Sequence, residues 1–308
     1  MSFQIALSNV ILTLLYIIPG YAFCKWKKVS ADHLSTLSVI LVYLCSPCMV
    51  VASFLSLDFS LTELANMGLF FVVTLVVQGA FMAILYAILS KKYEDSKYRI
   101  FTIGSVLGNV GFFGQPLVRA LLPNNPEALC YSSVYCITMN LLVFSMGVYC
   151  LTKNKKYMTL KAAILTPNSV GLCIGLPIYI FGLGRFIPDM LVTSVDLLGR
   201  MTTPLCMLIL GIRLATVPLK RLFTRPIIYL LCVSKMILFP LFAFLLVYFL
   251  PVADSFKASL LILSSVPCAS IILNMAEMHH SETELAANSV LVTTLLCFIT
   301  IPIMTLLL

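Results

Sequence analysis

The sequence predicts an all-α polytopic membrane protein with ten transmembrane helices. These form two inverted five-helix repeats, and helices 4 and 9 are expected to be broken and to cross. Three observations support this fold class. The 308 residues are 61% hydrophobic and only 10% charged, whereas soluble domains carry about 25% charged residues. The apolar segments are long and uninterrupted, unlike the alternating strands of a β-barrel. The two halves of the chain also share a pattern of proline and aromatic residues.

Ten apolar segments, numbered spans 1 to 10 in chain order, can cross a bilayer. Eight contain no acidic or basic residue over at least 19 positions, close to the roughly 20 that a transmembrane helix needs. They are 1–24, 34–57, 64–90, 100–118, 128–152, 162–184, 258–276 and 285–308. Span 7 (189–213) includes Asp196 and Arg200, and span 8 (226–250) includes Lys235. Basic residues follow span 1 and do not precede it, so we expect it to remain uncleaved.

Basic residues concentrate in alternate connections, those after spans 1, 3, 5 and 7. These connections hold 15 of the 20 Lys and Arg residues. The residues are Lys25, Lys27, Lys28, Lys91, Lys92, Lys97, Arg99, Lys153, Lys155, Lys156, Lys161, Arg213, Lys220, Arg221 and Arg225. Basic loops stay in the cytoplasm, so both termini are predicted to be extracellular or periplasmic. The net charge of +8 therefore reflects membrane topology, and nucleic acid is not an expected partner.

Residues 1–157 and 158–308 are predicted to be two copies of one five-span unit. The matched features are Ile17–Phe23 with Gly175–Phe181 at an offset of 158 residues, Ser46–Cys48 with Thr203–Leu205 at 157, and Pro116 with Pro267 at 151. Because five is odd, the second copy enters the membrane from the opposite side. Inverted repeats are a common construction of secondary transporters, with the substrate site near the midplane.

Span 4 is predicted to unwind near its middle. Four glycines and one proline lie within the thirteen residues Gly104–Pro116, and both residue types disfavour a helix interior. An unwound segment exposes a helix N-terminus, whose N–H groups and dipole attract an anion. The candidate substrate-binding residues of span 4 are Gly108, Asn109, Gly111, Gln115 and Pro116. Alternatively, the glycines only allow close helix packing.

Span 9 is expected to face span 4 across the repeat axis. Its candidate binding residues are Ser265, Pro267 and Asn274. It contains no glycine, so its break rests on Pro267 and on the repeat. Two half-helix N-termini aimed at one point would suit a small carboxylate.

Three buried charges are candidates for substrate attraction or coupling. Asp196 and Arg200 lie four residues apart on one helical face, which fits either a structural ion pair or a role in the transport path. Lys235 has no acidic residue within four positions. It is expected to line a wet cavity near the anion's path, or else to pair across helices. The repeat places Gln78 of span 3 opposite it.

Other reactive residues favour structural explanations. His279 and His280 lie among Glu277, Glu282 and Glu284 in a short connection, which indicates an exposed acidic loop more than a metal site. Cys45 and Cys48 lack the βαβ context of a redox motif. No catalytic or nucleotide-binding signature is found. We therefore expect no enzyme activity, no cofactor and no metal.

Three motifs carry a resemblance to a known family. They are Gly108–Pro116, Met201–Met207 with Gly211, and Thr293–Thr294 through Ile301–Pro302. With these motifs the chain resembles a bacterial member of the auxin efflux carrier family over nearly its whole length. The resemblance implies two inverted five-helix repeats, as in bile-acid and sodium/proton transporters, with a scaffold domain and a transport domain. Members move small organic anions such as auxin, malate or malonate.

The resemblance also implies a substrate residue. In the plant relatives, the asparagine seven residues before the span 4 proline helps to hold the carboxylate, and Asn109 and Pro116 have that spacing. Arg200 departs from the small residue often found at its position. We therefore expect a secondary transporter of a small carboxylate, in the cell (inner) membrane, working by alternating access. The alternative is a membrane receptor or regulatory protein that binds such an anion without transport. The lipid bilayer is the expected surrounding, and a homodimer is a candidate assembly.

Overall fold

A computed structural model describes residues 8, 11–12, 15–158, 161, 165–216, 222–279 and 281–308. His280, Lys220 and Arg221 lie outside these residues. Within the described ranges the chain is helical and contains no β-strand, only one isolated bridge between two residues. The all-α class predicted from the sequence is confirmed.

The helices are numbered α1 to α10 in chain order. They are α1 (Ile17–Lys25), α2 (His33–Leu55), α3 (Leu61–Leu89), α4a (Ser96–Gly104), α4b (Val110–Gly114 continued by Gln115–Leu121), α5 (Glu127–Thr152), α6 (Pro167–Ile180), α7 (Asp189–Thr216), α8 (Pro226–Tyr248), α9a (Asp254–Ser264), α9b (Ile271–Met278) and α10 (Thr283–Met304). Among the described residues, six helices are long and apolar enough to cross a membrane, namely α2, α3, α5, α7, α8 and α10. The interruptions divide α4 and α9 into shorter pieces, as their sequences predicted.

Three helices contain a widened π-helical turn that ends two residues before a proline. The pairs are Leu41–Cys45 before Pro47, Val110–Gly114 before Pro116, and Ser234–Leu238 before Pro240. Proline has no N–H, and its ring collides with the carbonyl four residues earlier. A π turn is a common helical adjustment to such a conflict. Pro116 therefore continues a helix and does not break one, so its predicted place in the unwound segment is wrong.

Two pairs of helices approach each other closely at glycine. A Cβ atom on Gly20 of α1 would lie 2.2 Å from the carbonyl oxygen of Leu208 in α7. A Cβ on Gly211 of α7 would lie 2.2 Å from the carbonyl oxygen of Ile17. Gly171 of α6 meets the backbone of α2 in the same way. Small residues permit this backbone contact within a membrane. We call α1, α2, α6 and α7 the four-helix group.

The remaining helices, α3, α4, α5, α8, α9 and α10, form the six-helix group. Its core includes an aromatic cluster in which Phe70 of α3 stacks on Tyr131 of α5, with ring centroids 4.8 Å apart. Phe256 of α9a meets the edge of Phe70 at 4.7 Å. Aromatic pairs at these distances stabilise beyond the apolar area that they bury. The cluster joins helices from both halves of the sequence.

Alternate connections lie on the same face of the molecule. Lys153, after α5, lies 2.5 Å from Glu94, after α3, and this ammonium group holds the pKa of the Glu94 carboxyl below its usual value. Arg225, before α8, forms an ion pair with Glu282, before α10. We call this the basic face. The opposite face holds the contact of the Tyr179 hydroxyl with the backbone of Ser60, after α2.

The glycine contacts yield a stability prediction. Gly211→Ala should lower the melting temperature in detergent, because its Cβ collides with a carbonyl oxygen, and overpacking of this kind costs about 1–3 kcal/mol. The matched control is Gly68→Ala in α3, where a Cβ meets nothing within 4 Å. There alanine should leave the melting temperature unchanged or raise it, since it has the better helix propensity. Equal effects of the two substitutions would refute the close-contact explanation.

Candidate substrate site

The two helix interruptions lie against each other. The Asn109 N–H donates to the Pro267 carbonyl at 2.8 Å, and the Ala269 N–H donates to the Leu107 carbonyl at 3.0 Å. These two bonds form an antiparallel bridge between Gly108 and Cys268. Backbone groups freed by a break must find partners inside the protein, because lipid offers none. Each broken helix therefore satisfies the other.

Glycine is required at the centre of this bridge. A Cβ on Gly108 would lie 2.7 Å from the side chain of Val266 and 3.1 Å from the Nζ atom of Lys235. The bridge pairs Gly108 with Cys268, an offset of 160 residues. The sequence match of Pro116 with Pro267 at an offset of 151 is therefore wrong. Pro267 lies within the break of α9, whereas Pro116 lies in α4b.

Lys235 of α8 lies at the crossing, where it is 0% exposed. Its Nζ atom donates to the carbonyls of Val106 and Ser264, both at 3.1 Å. Val106 lies two residues after the end of α4a, and Ser264 is the last residue of α9a. The ammonium group therefore lies at two helix C-termini. A cation is favourable there because the helix dipole is negative at that end. The ring of Phe239, with its centroid 4.6 Å from Nζ, adds a cation–π contact.

This burial corrects two expectations about Lys235. Its predicted position along a wet cavity is wrong, and so is a pairing with an acidic residue of another helix. Every Asp and Glu of the chain lies in the described ranges, and none is within salt-bridge distance of Nζ. Gln78, its repeat partner in the sequence, is also buried and donates to the Thr138 hydroxyl at 3.0 Å.

A cavity of about 470 Å³ opens between the two helix groups at the crossing. Its polar lining includes Asn109 of α4, Ser270 and Asn274 of α9, Thr294 of α10, and Arg213 of α7. A volume of this size is typical of small-molecule sites. A second cavity of about 210 Å³ shares Asn109, Ser270 and Asn274 and extends toward α5 and α6.

Two helices begin at these cavities. Asn109 directly precedes α4b and Ser270 directly precedes α9b, and neither side chain caps its helix. The side chains of Asn109, Ser270 and Asn274 make no hydrogen bond within the described part of the chain. Two helix N-termini and three free polar side chains therefore meet at one point. This arrangement can donate hydrogen bonds to an anionic group.

The predicted site residues divide into two sets. Gly108, Asn109, Gly111 and Asn274 line one or both cavities. Four others do not line them. Gln115 is buried and donates to the Ser133 hydroxyl at 2.7 Å, Ser265 donates to the Leu261 carbonyl at 2.7 Å, Pro267 accepts the Asn109 N–H, and Pro116 continues α4b.

Sequence reasoning missed Ser270, Phe112, Thr294 and Arg213 as cavity residues. Ser270 and Phe112 each lie within three positions of a predicted residue, so a wider window around each break would have included them. In the sequence, Arg213 counts as one of the basic residues that indicate the membrane topology, because it adjoins the connection after span 7. Only packing reveals that it lines the cavity.

Asp196 forms ion pairs with two arginines. It lies 2.6 Å from Nε of Arg200, which confirms the predicted i,i+4 pair, and 2.9 Å from Nη2 of Arg119. Arg119 lies in α4b, so this second bond joins the six-helix group to the four-helix group. Neither Asp196 nor Arg200 lines the cavities at the crossing. Sequence periodicity could not find Arg119, because the contact runs between distant helices.

An apolar helical body with two interrupted helices around a central cavity is characteristic of a membrane transport protein. The sequence model of the family described as membrane transport protein matches residues 5–162 and 151–305. The chain belongs to this family, that of the auxin efflux carriers, as its motifs predicted. It is also similar to an uncharacterised transporter of Methanocaldococcus jannaschii, with 25% identity over 300 residues, covering 94% of this chain and 95% of that protein.

The crossing yields a second stability prediction. Lys235→Met leaves the carbonyls of Val106 and Ser264 without a donor, and each buried unsatisfied group costs about 1–3 kcal/mol. We expect a clearly lower melting temperature. The control is Gln78→Met, a buried polar residue in α3 with one side-chain hydrogen bond, which should lower it less. A Lys235→Met protein at least as stable as the wild type would contradict the helix-capping role, because it would mean that relief of desolvation outweighs these bonds.

Proposed function

We propose that the protein is a secondary transporter of a small organic anion that carries a carboxylate. The anion is held where α4b and α9b begin, and access to it alternates between the two sides of the cell membrane. The observation that carries the proposal is the set of unpaired polar side chains, Asn109, Ser270 and Asn274, around two helix N-termini at one cavity.

The chemistry of the site suits a carboxylate. Asparagine amide and serine hydroxyl groups donate hydrogen bonds, and hydrogen bonds to an ionised acceptor are roughly twice as strong as neutral ones. Helix N-termini add partial positive charge without a formal charge. A site built in this way can bind an anion and still release it. Lys235 lies on the crossing itself, so it holds the two breaks in place and does not contact the cavity.

Internal symmetry supports the inverted repeat. Gly211 contacts Ile17, and Gly175 contacts Phe54. At the repeat offset of 157–158 residues, each of these contacts is the copy of the other. The two hydrogen bonds of the crossing are related in the same way at an offset of 160. Ten spans in two opposed copies account for these pairs and for the alternation of connections between the two faces.

The positions of the cavity and of the Asp196 ion pairs support alternating access. On α7, Asp196 and Arg213 are 17 residues apart, about 25 Å at the rise of a helix. The cavity includes Arg213 and the first residues of α2, beside the basic face. Asp196 joins the two helix groups toward the opposite face. Since basic loops stay in the cytoplasm, this arrangement corresponds to an inward-open state. Opening to the outside would require the Arg119–Asp196 pair to separate.

Asn109→Ala tests the binding site. We expect affinity for a carboxylate to fall about tenfold or more, because a hydrogen bond to a charged group contributes about 1.5–3 kcal/mol. The melting temperature of the free protein should not change, since the Asn109 side chain has no hydrogen-bond partner among the described residues. The control is Gln115→Ala in the adjoining helix α4b, which should lower the melting temperature and leave affinity unchanged.

The measurement uses purified protein and a panel of small mono- and dicarboxylates and aromatic acids, scored by ligand-induced thermal stabilisation. Flux of the best ligand into proteoliposomes follows. Binding with no flux would favour a receptor or regulatory protein and would contradict transport. Unchanged affinity of Asn109→Ala would contradict the location of the site.

A further inference from the structure

We infer that Arg213 is a specificity-determining residue that binds a second acidic group of the substrate, so that the protein selects dianions over monoanions. The inference rests on the proposed function, because it concerns the same cavity. It adds a residue that the binding motifs do not include, on the opposite helix group from Asn109.

The Arg213 side chain has no partner among the residues that the structure describes. All twelve acidic residues lie in the described ranges, and the ion pairs there involve Lys97, Arg119, Lys153, Arg200 and Arg225. The guanidinium of Arg213 makes no hydrogen bond to a described residue. The Thr216 hydroxyl donates to the backbone carbonyl of Arg213 at 2.8 Å.

An unpaired, half-buried guanidinium on a cavity wall requires an explanation. Ionisable groups within membrane helices usually pair with one another or mark a substrate path. Arginine in particular presents a planar set of five donors that matches a carboxylate with two parallel bonds. The other basic residues of the four-helix group do not line the two cavities at the crossing. Arg213 is thus positioned to meet whatever anion enters.

Most of the remaining cavity lining is apolar, although Ser35 and Ser38 of α2 also line the cavity. Asn109, Ser270 and Asn274 form one end, Arg213 lies on α7, and apolar side chains of α2, α4 and α7 lie among them, including Leu41, Phe112, Ile209 and Leu210. The neutral donors at the crossing can hold any carboxylate. A full positive charge on another wall of the same cavity favours a ligand with a second negative charge.

The two ends also belong to different helix groups. Asn109 and Ser270 lie in the six-helix group, whereas Arg213 lies in the four-helix group. A dianion that contacts both ends is held only while the groups keep the arrangement of this structure. Movement of the six-helix group would carry the first carboxylate away from Arg213, so the guanidinium acts on binding from the basic face.

The test compares diacids with their monoamides, which have nearly the same shape and one charge fewer. The probes are malonate, succinate and glutarate, each with its monoamide, and dissociation constants are measured on purified protein. We expect the wild type to bind at least one diacid tenfold or more tightly than its monoamide. Arg213→Gln should bring that ratio close to one, with little change for the monoamide, and Arg213→Lys should keep part of it. The control is Arg185→Gln, an exposed arginine beside Phe186, which removes the same charge and should keep the full ratio.

Each outcome has a distinct meaning. If Arg213→Gln keeps the wild-type ratio, or if the wild type binds monoamides as well as diacids, the inference on Arg213 is wrong while the proposed function stands. If none of the six probes and no other carboxylate of the panel binds the wild type, the proposed function fails. Melting temperatures of the free variants confirm that each one is folded before ratios are compared.

Discussion

The structure depends on how two interrupted helices satisfy their backbone where water is scarce. Asn109 N–H and Ala269 N–H bond across the crossing, and the Lys235 ammonium occupies the C-terminal ends of both first halves. Each break alone would destabilise the fold, because lipid cannot form hydrogen bonds with exposed peptide groups. Together they form one compact unit, with the Lys235 ammonium at the helix C-termini on one side. The other side is left with two helix N-termini and free polar side chains, which is what an anion site requires.

Much of this could be predicted from residue types, but not its detail. Glycine density and Asn109 indicated an unwound segment in span 4, and Pro267 indicated one in span 9. The unwound segment is 105–109 and contains only one of the four glycines, Gly108, because a π turn accommodates Pro116 within α4b. Lys235 could be recognised as anomalous, yet its partners are backbone carbonyls, which carry no signal in the sequence. Arg119 was missed because its acidic partner is 77 residues away.

The two helix groups differ in how they are held together. Backbone contacts at Gly20 and Gly211 bind α1 to α7 without room for adjustment, which suits a rigid frame. The six-helix group has its own aromatic core and holds both breaks. Among the described residues, the Arg119–Asp196 bond is the one ion pair that joins the groups, and a partly exposed ion pair contributes little stability. Close backbone packing in the four-helix group, a separate aromatic core in the six-helix group and a weak ion pair between them support the movement proposed for alternating access.

The most direct test of alternating access is to prevent movement between the four-helix group and the six-helix group. In proteoliposomes loaded with the best carboxylate, a short bifunctional thiol reagent would link Arg119→Cys to Asp196→Cys, across the two groups. A matched link between Gln115→Cys and Ser133→Cys lies within the six-helix group, where the native side chains are 2.7 Å apart. The unmodified chain treated with reagent measures the effect on its own eleven cysteines. If access alternates by movement between the groups, flux stops only with the link between groups and returns when the link is cleaved. Continued flux through the linked protein would contradict alternating access between the two groups.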